Sequence, residues 1–148
     1  MSPSPMQRAL SEAESASARG EVPVGAVVVD AAGRVLAAAG NRVEELGDPT
    51  AHAEMLAIRE AARARGEKIL ADCDLYVTLE PCAMCAQALS LARIRRVYFG
   101  AYDPKGGGVE HGARVFDHPT CHHRPEVVGG IEETRAGEML RRFFRDRR

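Results

Sequence analysis

Glu80-Pro81-Cys82-Ala83-Met84-Cys85 is the stretch around which the rest of the chain is organised. Its two cysteines, three positions apart, supply two thiolates at a spacing typical of zinc sites. His52-Ala53-Glu54, further upstream, adds an imidazole and a carboxylate. Structural zinc sites are closed by four protein ligands, whereas catalytic sites use three and keep the fourth position for water. His52, Cys82 and Cys85 therefore predict one catalytic zinc ion (Zn2+) per chain.

Both ligand segments are predicted to begin a helix. Asp48-Pro49-Thr50 has N-cap chemistry ahead of a helix from about Ala51 to Gly66. A second helix is predicted from about Cys82 to Leu91, with Pro81 at its first position. The free amides and positive partial charge of a helix N-terminus favour the thiolate form of a cysteine placed there. The apolar stripe that we expect to face the sheet in the first of these helices is Ala51, Met55, Ile58 and Ala62.

Glu54 is the carboxylate left over once three ligands are assigned. It lies about 200° from His52 around a regular helix, yet both can straddle a metal above the helix end because first-turn side chains tilt toward the N-terminus. Glu54 would then take a proton from water and deliver it to a leaving amine. The alternative is that Cys82 and Cys85 are buried small hydrophobes beside an ordinary helix start. The two spacings together favour the catalytic site.

The remaining pattern predicts an α/β fold in a single domain spanning residues 1–148. A chain of 148 residues, 45% of them hydrophobic, can bury one core of ordinary size. A strand, a helix and a strand follow one another around the cysteines, which predicts a parallel crossover. The predicted strands lie at residues 22–29, 34–41, 75–79, 96–100 and 127–128, and further helices at residues 5–19 and 132–145, with an irregular loop at residues 101–125.

Charge and composition limit the possible partners and compartments. Neither a signal-peptide pattern nor an apolar run long enough to cross a membrane occurs, so we expect a cytoplasmic protein with reduced thiols. The net charge is −1, but residues 93–148 hold 12 Lys/Arg against 8 Asp/Glu, whereas residues 1–92 hold 8 against 13. Contacts with nucleic acid, if any, should therefore come from the C-terminal third.

His-x-Glu with Pro-Cys-x-x-Cys is the signature of zinc deaminases acting on cytosine and adenine, in which the Glu moves protons and is not a ligand. Further segments narrow the family: Glu21-Val22-Pro23-Val24-Gly25-Ala26-Val27, Asn41-Arg42, Asp48 to Glu54, Leu75 to Cys82 and Phe99-Gly100-Ala101. Together these segments resemble the bacterial tRNA-specific adenosine deaminases. The resemblance covers nearly the whole chain.

The resemblance implies a fold, a reaction and an assembly. The fold would be the cytidine-deaminase-like three-layer α/β/α sandwich with a mixed central sheet of about five strands. The reaction would be hydrolytic conversion of adenosine to inosine at the wobble position of the tRNA anticodon, by a homodimer. The resemblance also implies base recognition by Asn41 and the backbone of Ala53, and substrate-loop contacts by Asp103 and Lys105.

Two other functions remain open at this point. A deaminase of a free base or nucleoside of guanine or cytosine type would use the same metal chemistry, and the Gly108-Val109-Glu110-His111 stretch could help to close a small-molecule pocket. A non-catalytic zinc module is a third possibility, but it would have no use for Glu54 beside an open ligand position.

Two C-terminal segments have chemistry of their own. Cys121-His122-His123 contains ligand types, although consecutive residues of an extended loop seldom converge on one ion. The tail from Arg141 to Arg148 mixes five arginines with two phenylalanines. That composition fits either contacts with RNA or the closing helix of the core with solvated arginines. We expect the phenylalanines in the core and some of Arg145, Arg147 and Arg148 on RNA.

Overall fold

The fold is built on one five-stranded mixed sheet. The computed structural model describes residues 4–147. The strand order is β2-β1-β3-β4-β5, with β1 antiparallel to β2 and β3, and β3, β4 and β5 mutually parallel. This mixed sheet of five strands agrees with the sequence prediction. The strands are β1 (Gly25–Val29), β2 (Val35–Gly40), β3 (Asp74–Leu79), β4 (Arg96–Ala101) and β5 (Glu126–Val128).

Helices cover both faces of this sheet. The apolar cluster on one face contains residues of α3 and α4, and the cluster on the other face contains residues of α1 and α5. The predicted three-layer α/β/α arrangement is therefore confirmed. The helices are α1 (Pro5–Ala18), α2 (Val43–Leu46), α3 (Ala53–Arg65), α4 (Ala83–Leu91) and α5 (Glu133–Asp146), with a 3-10 turn at Val115–Asp117.

Local chemistry explains the first helix and the central strand. Ser4 and Gln7 form a capping box that begins α1. All five residues of β1 are buried, because α1 covers one face of the strand and α3 the other. Gly25 permits this packing, since a Cβ atom there would collide with the backbone of Ala9.

The structure corrects three details of the prediction. The buried residues of α3 are Ala53, Glu54, Ala57 and Ala61, whereas Met55, Ile58 and Ala62 of the predicted stripe are only half-buried. The stripe was wrong because the alanines allow the helix to approach the sheet closely, and bulkier residues flank the contact. Cys82 is the N-cap of α4, so Pro81 precedes the helix and does not occupy its first position. Helix α2 and the 3-10 turn were not predicted.

The crossover places the chemistry at one edge of the sheet. The carboxyl ends of the parallel strands β3 and β4 lie side by side, with Leu79 paired to Ala101. Glu80 and Cys82 follow β3 directly, and Asp103 follows β4. Within residues 4–147, no helix is long and apolar enough to span a bilayer.

Candidate active site

Three side chains meet where α3 and α4 begin. His52 is the N-cap of α3 and Cys82 the N-cap of α4, and Cys85 is buried in the first turn of α4. His52 Nδ1 lies 3.6 Å from the Sγ atom of each cysteine, and the three ligand atoms all lie within 4.8 Å of one another. A tetrahedral zinc with ordinary bond lengths would separate N from S by about 3.6 Å. The chemistry and spacing of this donor set therefore fit a zinc ion.

The thiols and the imidazole shift one another's pKa values. The pKa of Cys82 is lowered to about 4, chiefly because the Cys85 thiol donates a hydrogen bond to its sulfur, with further help from His52. The same hydrogen bond raises the pKa of Cys85, and contact with Cys82 raises the pKa of His52. Thiols bind zinc as thiolates, so zinc binding would release the proton that Cys85 donates to Cys82.

Glu54 is a buried carboxyl beside this cluster. Its side chain is almost fully buried, and it lines the same cavity as His52 and Cys82. Burial raises its pKa from 4.5 to about 7, and the negative charge of Cys82 adds to the effect. A carboxyl with this pKa can both accept and return a proton near neutral pH.

The cavity next to the cluster is a cleft of about 630 Å³. Its volume lies in the range of small-molecule binding sites. Its apolar lining comes from Val22, Val24 and Leu79, whereas Glu44 and Gly106 at its rim are exposed. The cleft is therefore open to solvent on one side and can admit part of a larger molecule.

Asn41 and Ala53 form a pair at this cleft. Asn41 is buried at the end of β2, and its Oδ1 accepts a 2.8 Å hydrogen bond from the Ala53 N–H. Arg19 donates to the Asn41 carbonyl oxygen at 3.2 Å. The backbone N–H of Ala53 is thus engaged with Asn41. The orientation of the Asn41 amide is fixed, and its NH2 group is left for other contacts.

The structure brings Asp103 to the site but leaves Lys105 outside it. Asp103 lines the cleft, and its Oδ1 accepts hydrogen bonds from the N–H groups of Lys105 and Gly106. Lys105 is exposed and does not line the cleft. A lysine on this loop can still reach a molecule that extends beyond the rim.

Two buried carboxylates beneath the walls of the cleft were missed by sequence reasoning. Glu21 accepts hydrogen bonds from the N–H groups of Glu44 and Glu45, and so caps α2. Glu80 accepts hydrogen bonds from the loop after β4. Burial opposes the charge of Glu80, but the N–H of Asp103 and the ring of His111 are among the donors that lower its pKa overall. The available signal was an acidic residue directly beside an apolar strand.

The Cys121-His122-His123 segment anchors a loop. Ser90 Oγ lies 3.3 Å from Cys121 Sγ and donates to the carbonyl oxygen of His123 at 2.7 Å. The His123 ring contacts the Ile94 carbonyl oxygen, and His122 is exposed. Within the described part of the chain, only His52, Cys82 and Cys85 form a cluster of metal-ligand type.

The C-terminal helix contributes to the cleft. Phe143 is buried, with the guanidinium of Arg147 3.7 Å from its ring centre, and both residues line the cleft. Phe144 is half exposed, so only one of the two predicted core phenylalanines is buried. Arg145 is exposed, and Arg148 lies outside the described residues.

Comparisons with known proteins find similarity to several deaminases. Residues 3–101 match the model of the cytidine and deoxycytidylate deaminase zinc-binding region. A tRNA-specific adenosine deaminase of Agrobacterium fabrum is 59% identical over 143 residues, which cover 97% of this chain and 93% of that protein. A solved structure from a study of A-to-I editing by tRNA:A34 deaminases at the wobble position is 58% identical with a TM-score of 0.90, covering 92% of this chain and 98% of that one. A guanine deaminase structure from Bacillus subtilis is more distant, at 32% identity and a TM-score of 0.65, covering 93% and 91%.

Proposed function

The chain belongs to the tRNA-specific adenosine deaminases, within the family that carries the cytidine and deoxycytidylate deaminase zinc-binding region. From this membership we propose that it hydrolyses adenosine to inosine at the wobble position of a tRNA anticodon. The observation that carries the proposal is the cluster of His52, Cys82 and Cys85 with the buried carboxyl of Glu54 beside it. This arrangement sits at the base of a cleft that is open on one side.

His52, Cys82 and Cys85 would hold the zinc ion. Bound zinc supplies a Lewis acid that lowers the pKa of water, which makes a nucleophile available at neutral pH. The chain's own contribution is to present two sulfurs and one imidazole from two helix starts that the sheet holds in place. Three ligands, and not four, favour a catalytic over a purely structural site.

Glu54 would move the protons. From its position beside the three ligands, its carboxylate would accept a proton from the attacking water and then donate a proton to the departing amine, which leaves as ammonia. The carbonyl of inosine replaces the amine. Because Glu54 is buried beside the apolar lining of the cleft, a base bound there would shield its proton from bulk water.

Asn41, Asp103 and Lys105 would contact the substrate in different ways, and Ala53 would hold Asn41 in place. Asn41, held by the Ala53 N–H, would offer its NH2 group to the base. Asp103 would contact the nucleotide within the cleft, and Lys105 would reach the RNA outside it. An anticodon loop suits this geometry because its bases are already unpaired and one can be splayed into a pocket.

Deamination of a free base is the alternative, and it has specific support. The guanine deaminase of Bacillus subtilis shares 32% identity and most of its length with this chain. The exposed rim at Glu44, Gly106 and Arg147 argues against it, because a small base is usually enclosed on most sides. The identities of 58 and 59% to proteins acting on tRNA also favour RNA.

We propose further that the chain acts as a single domain, as a homodimer and in the cytoplasm. The single apolar sheet with helices on both faces supports the first point. Leu91, the last residue of α4, is a large apolar side chain left 65% exposed, and it provides apolar surface for a second copy. Four free cysteines, which include the proposed ligands, suit a reducing compartment.

The test compares substrates with purified zinc-loaded enzyme. An anticodon stem-loop with an unpaired wobble adenosine should yield inosine, and the same stem-loop with guanosine or cytidine at that position should yield negligible product. Ammonia release from free guanine or cytidine with a kcat/KM above about 10⁴ M⁻¹s⁻¹, and without inosine in the stem-loop, would establish the free-base alternative.

A further inference from the structure

Glu80 is the most heavily used acceptor near the cleft. Its side chain is fully buried. Oε2 accepts hydrogen bonds from the N–H groups of Val109, Glu110 and His111, at 3.2, 2.9 and 3.1 Å. Oε1 accepts from the N–H of Asp103 at 3.0 Å and contacts the His111 ring at 2.8 Å. The two oxygens thus bind both ends of one loop.

The loop that Glu80 holds contains the proposed substrate contacts. It runs from Asp103, which lines the cleft, to His111, and its tip exposes Lys105 and Gly106. Besides the hydrogen bonds from its two ends to Glu80, the loop has an internal hydrogen bond of 2.9 Å from the Gly107 N–H to the Asp103 carbonyl oxygen. A Cβ at Gly107 would lie 2.5 Å from Glu80 Oε2 and 2.6 Å from that same carbonyl oxygen. The loop and the carboxylate therefore fit closely.

The same junction adjoins the proposed metal ligands. The Gly108 N–H donates to the Pro81 carbonyl oxygen at 2.8 Å, one residue before Cys82. A Cβ at Gly108 would lie 2.5 Å from the Ala83 nitrogen, so the loop packs directly on the start of α4. Glu80 is consequently the group that joins the ligand segment to the substrate loop.

We propose that Glu80 is a positioning residue. It holds the 103–111 loop in the conformation that binds the RNA, and it fixes the position of this loop relative to the metal-ligand segment. The proposal rests on the proposed function for its substrate. Glu80 does not touch the reacting base. It determines the fraction of free enzyme molecules in which the loop already has the conformation that places Asp103 and Lys105 for RNA binding.

Glu80→Gln changes one acceptor into a donor with little change of size. The new NH2 group is worst placed at the Oε2 position, where three N–H donors converge. It would therefore take the Oε1 position and face the Asp103 N–H, so that this hydrogen bond is lost. Losing a hydrogen bond to an ionised group shifts an equilibrium by about 10- to 100-fold. When only a fraction of molecules is competent to bind, apparent affinity falls by that fraction.

The experiment measures kcat, KM, zinc content and amide hydrogen exchange in the zinc-loaded enzyme. Glu80→Gln should raise KM for the stem-loop about 10- to 100-fold, change kcat by less than about threefold and keep its zinc. Exchange of the Asp103 amide should accelerate at least about tenfold. Asp74→Asn is the matched control. Asp74 is also a buried carboxylate, but it is bound to Arg95 at the start of β3, at the opposite end of that strand from Glu80. KM should therefore not change in Asp74→Asn.

An unchanged KM, a fall in kcat of more than about threefold, or a loss of zinc in Glu80→Gln would each overturn the proposal. If the Gln variant does not fold, His111→Ala replaces it, because it removes the ring that contacts Glu80 Oε1 without adding an atom to the loop, and it should raise KM in the same direction. If the wild-type enzyme forms no inosine, the proposed function fails. The exchange rates then decide the role of Glu80 alone, and an unchanged rate at Asp103 overturns it.

Discussion

Glu54→Gln should make the zinc-free protein more stable while removing its chemistry. Burial raises the pKa of Glu54 from 4.5 to about 7, which corresponds to about 3 kcal/mol. The folded carboxyl keeps its proton up to about pH 7, whereas the unfolded one loses it near pH 4.5. The folded state therefore binds more protons in this window, and the free energy of unfolding falls as the pH rises through it. An amide has no charge to bury and avoids this loss.

The assay is urea denaturation of zinc-free wild-type protein and of the variant at pH 5 and pH 8. Zinc is removed because a bound cation would itself change the pKa of Glu54. The stability advantage of Glu54→Gln should grow by about 2–3 kcal/mol from pH 5 to pH 8. Glu60→Gln, on the exposed side of the same helix, should change stability by less than about 0.5 kcal/mol at either pH. If Glu54→Gln gives no gain in the free energy of unfolding, or a gain that shrinks as the pH rises, the claim that burial disfavours the ionised form of Glu54 is refuted.

Two further predictions concern the metal and the RNA. Metal analysis of Cys82→Ala should show that most of the zinc is lost, because one of three ligands is gone. Cys73→Ala is the control and should keep its zinc, since Cys73 is a buried cysteine that contacts Arg65. A zinc content near that of the wild type in Cys82→Ala would disprove the ligand assignment. Arg147→Gln should weaken binding of the stem-loop, because a contact with a phosphate is lost. The slope of log binding constant against log salt concentration should then fall by about one unit. Arg8→Gln, at an exposed position of α1, is the control and should leave this slope unchanged. An unchanged slope for Arg147→Gln would make it a solvated residue stacked on the C-terminal helix.

Local patterns predicted the elements that hold the ligands. The alternation of Leu75, Val77 and Leu79 gave β3, and the short continuous apolar run ahead of Asp30 gave the buried strand β1. These signals suffice because period, length and turn residues are properties of neighbouring positions. Helix-start chemistry before His52 likewise placed the N-terminus of α3 to within two residues.

Features that depend on distant contacts were not predictable in the same way. The face of α3 was wrong because both its alanines and its larger apolar residues can be buried, and only close contact with the sheet selects Ala57 and Ala61 over Met55. Glu80 looked like a strand-end acid because its donors lie more than twenty residues away in an irregular loop. The sequence also could not show that the Ala53 N–H is engaged with Asn41.

The most direct test of the account is single-turnover formation of inosine in the anticodon stem-loop by Glu54→Gln and wild-type enzyme at equal zinc content. The account predicts that the variant binds the stem-loop and keeps its zinc, while its rate constant falls about 10²- to 10⁴-fold, because a positioned proton shuttle has been removed from an otherwise intact site. A rate constant within about tenfold of wild type, with zinc retained, would contradict the account, since the buried carboxyl beside His52 would then not carry the proton.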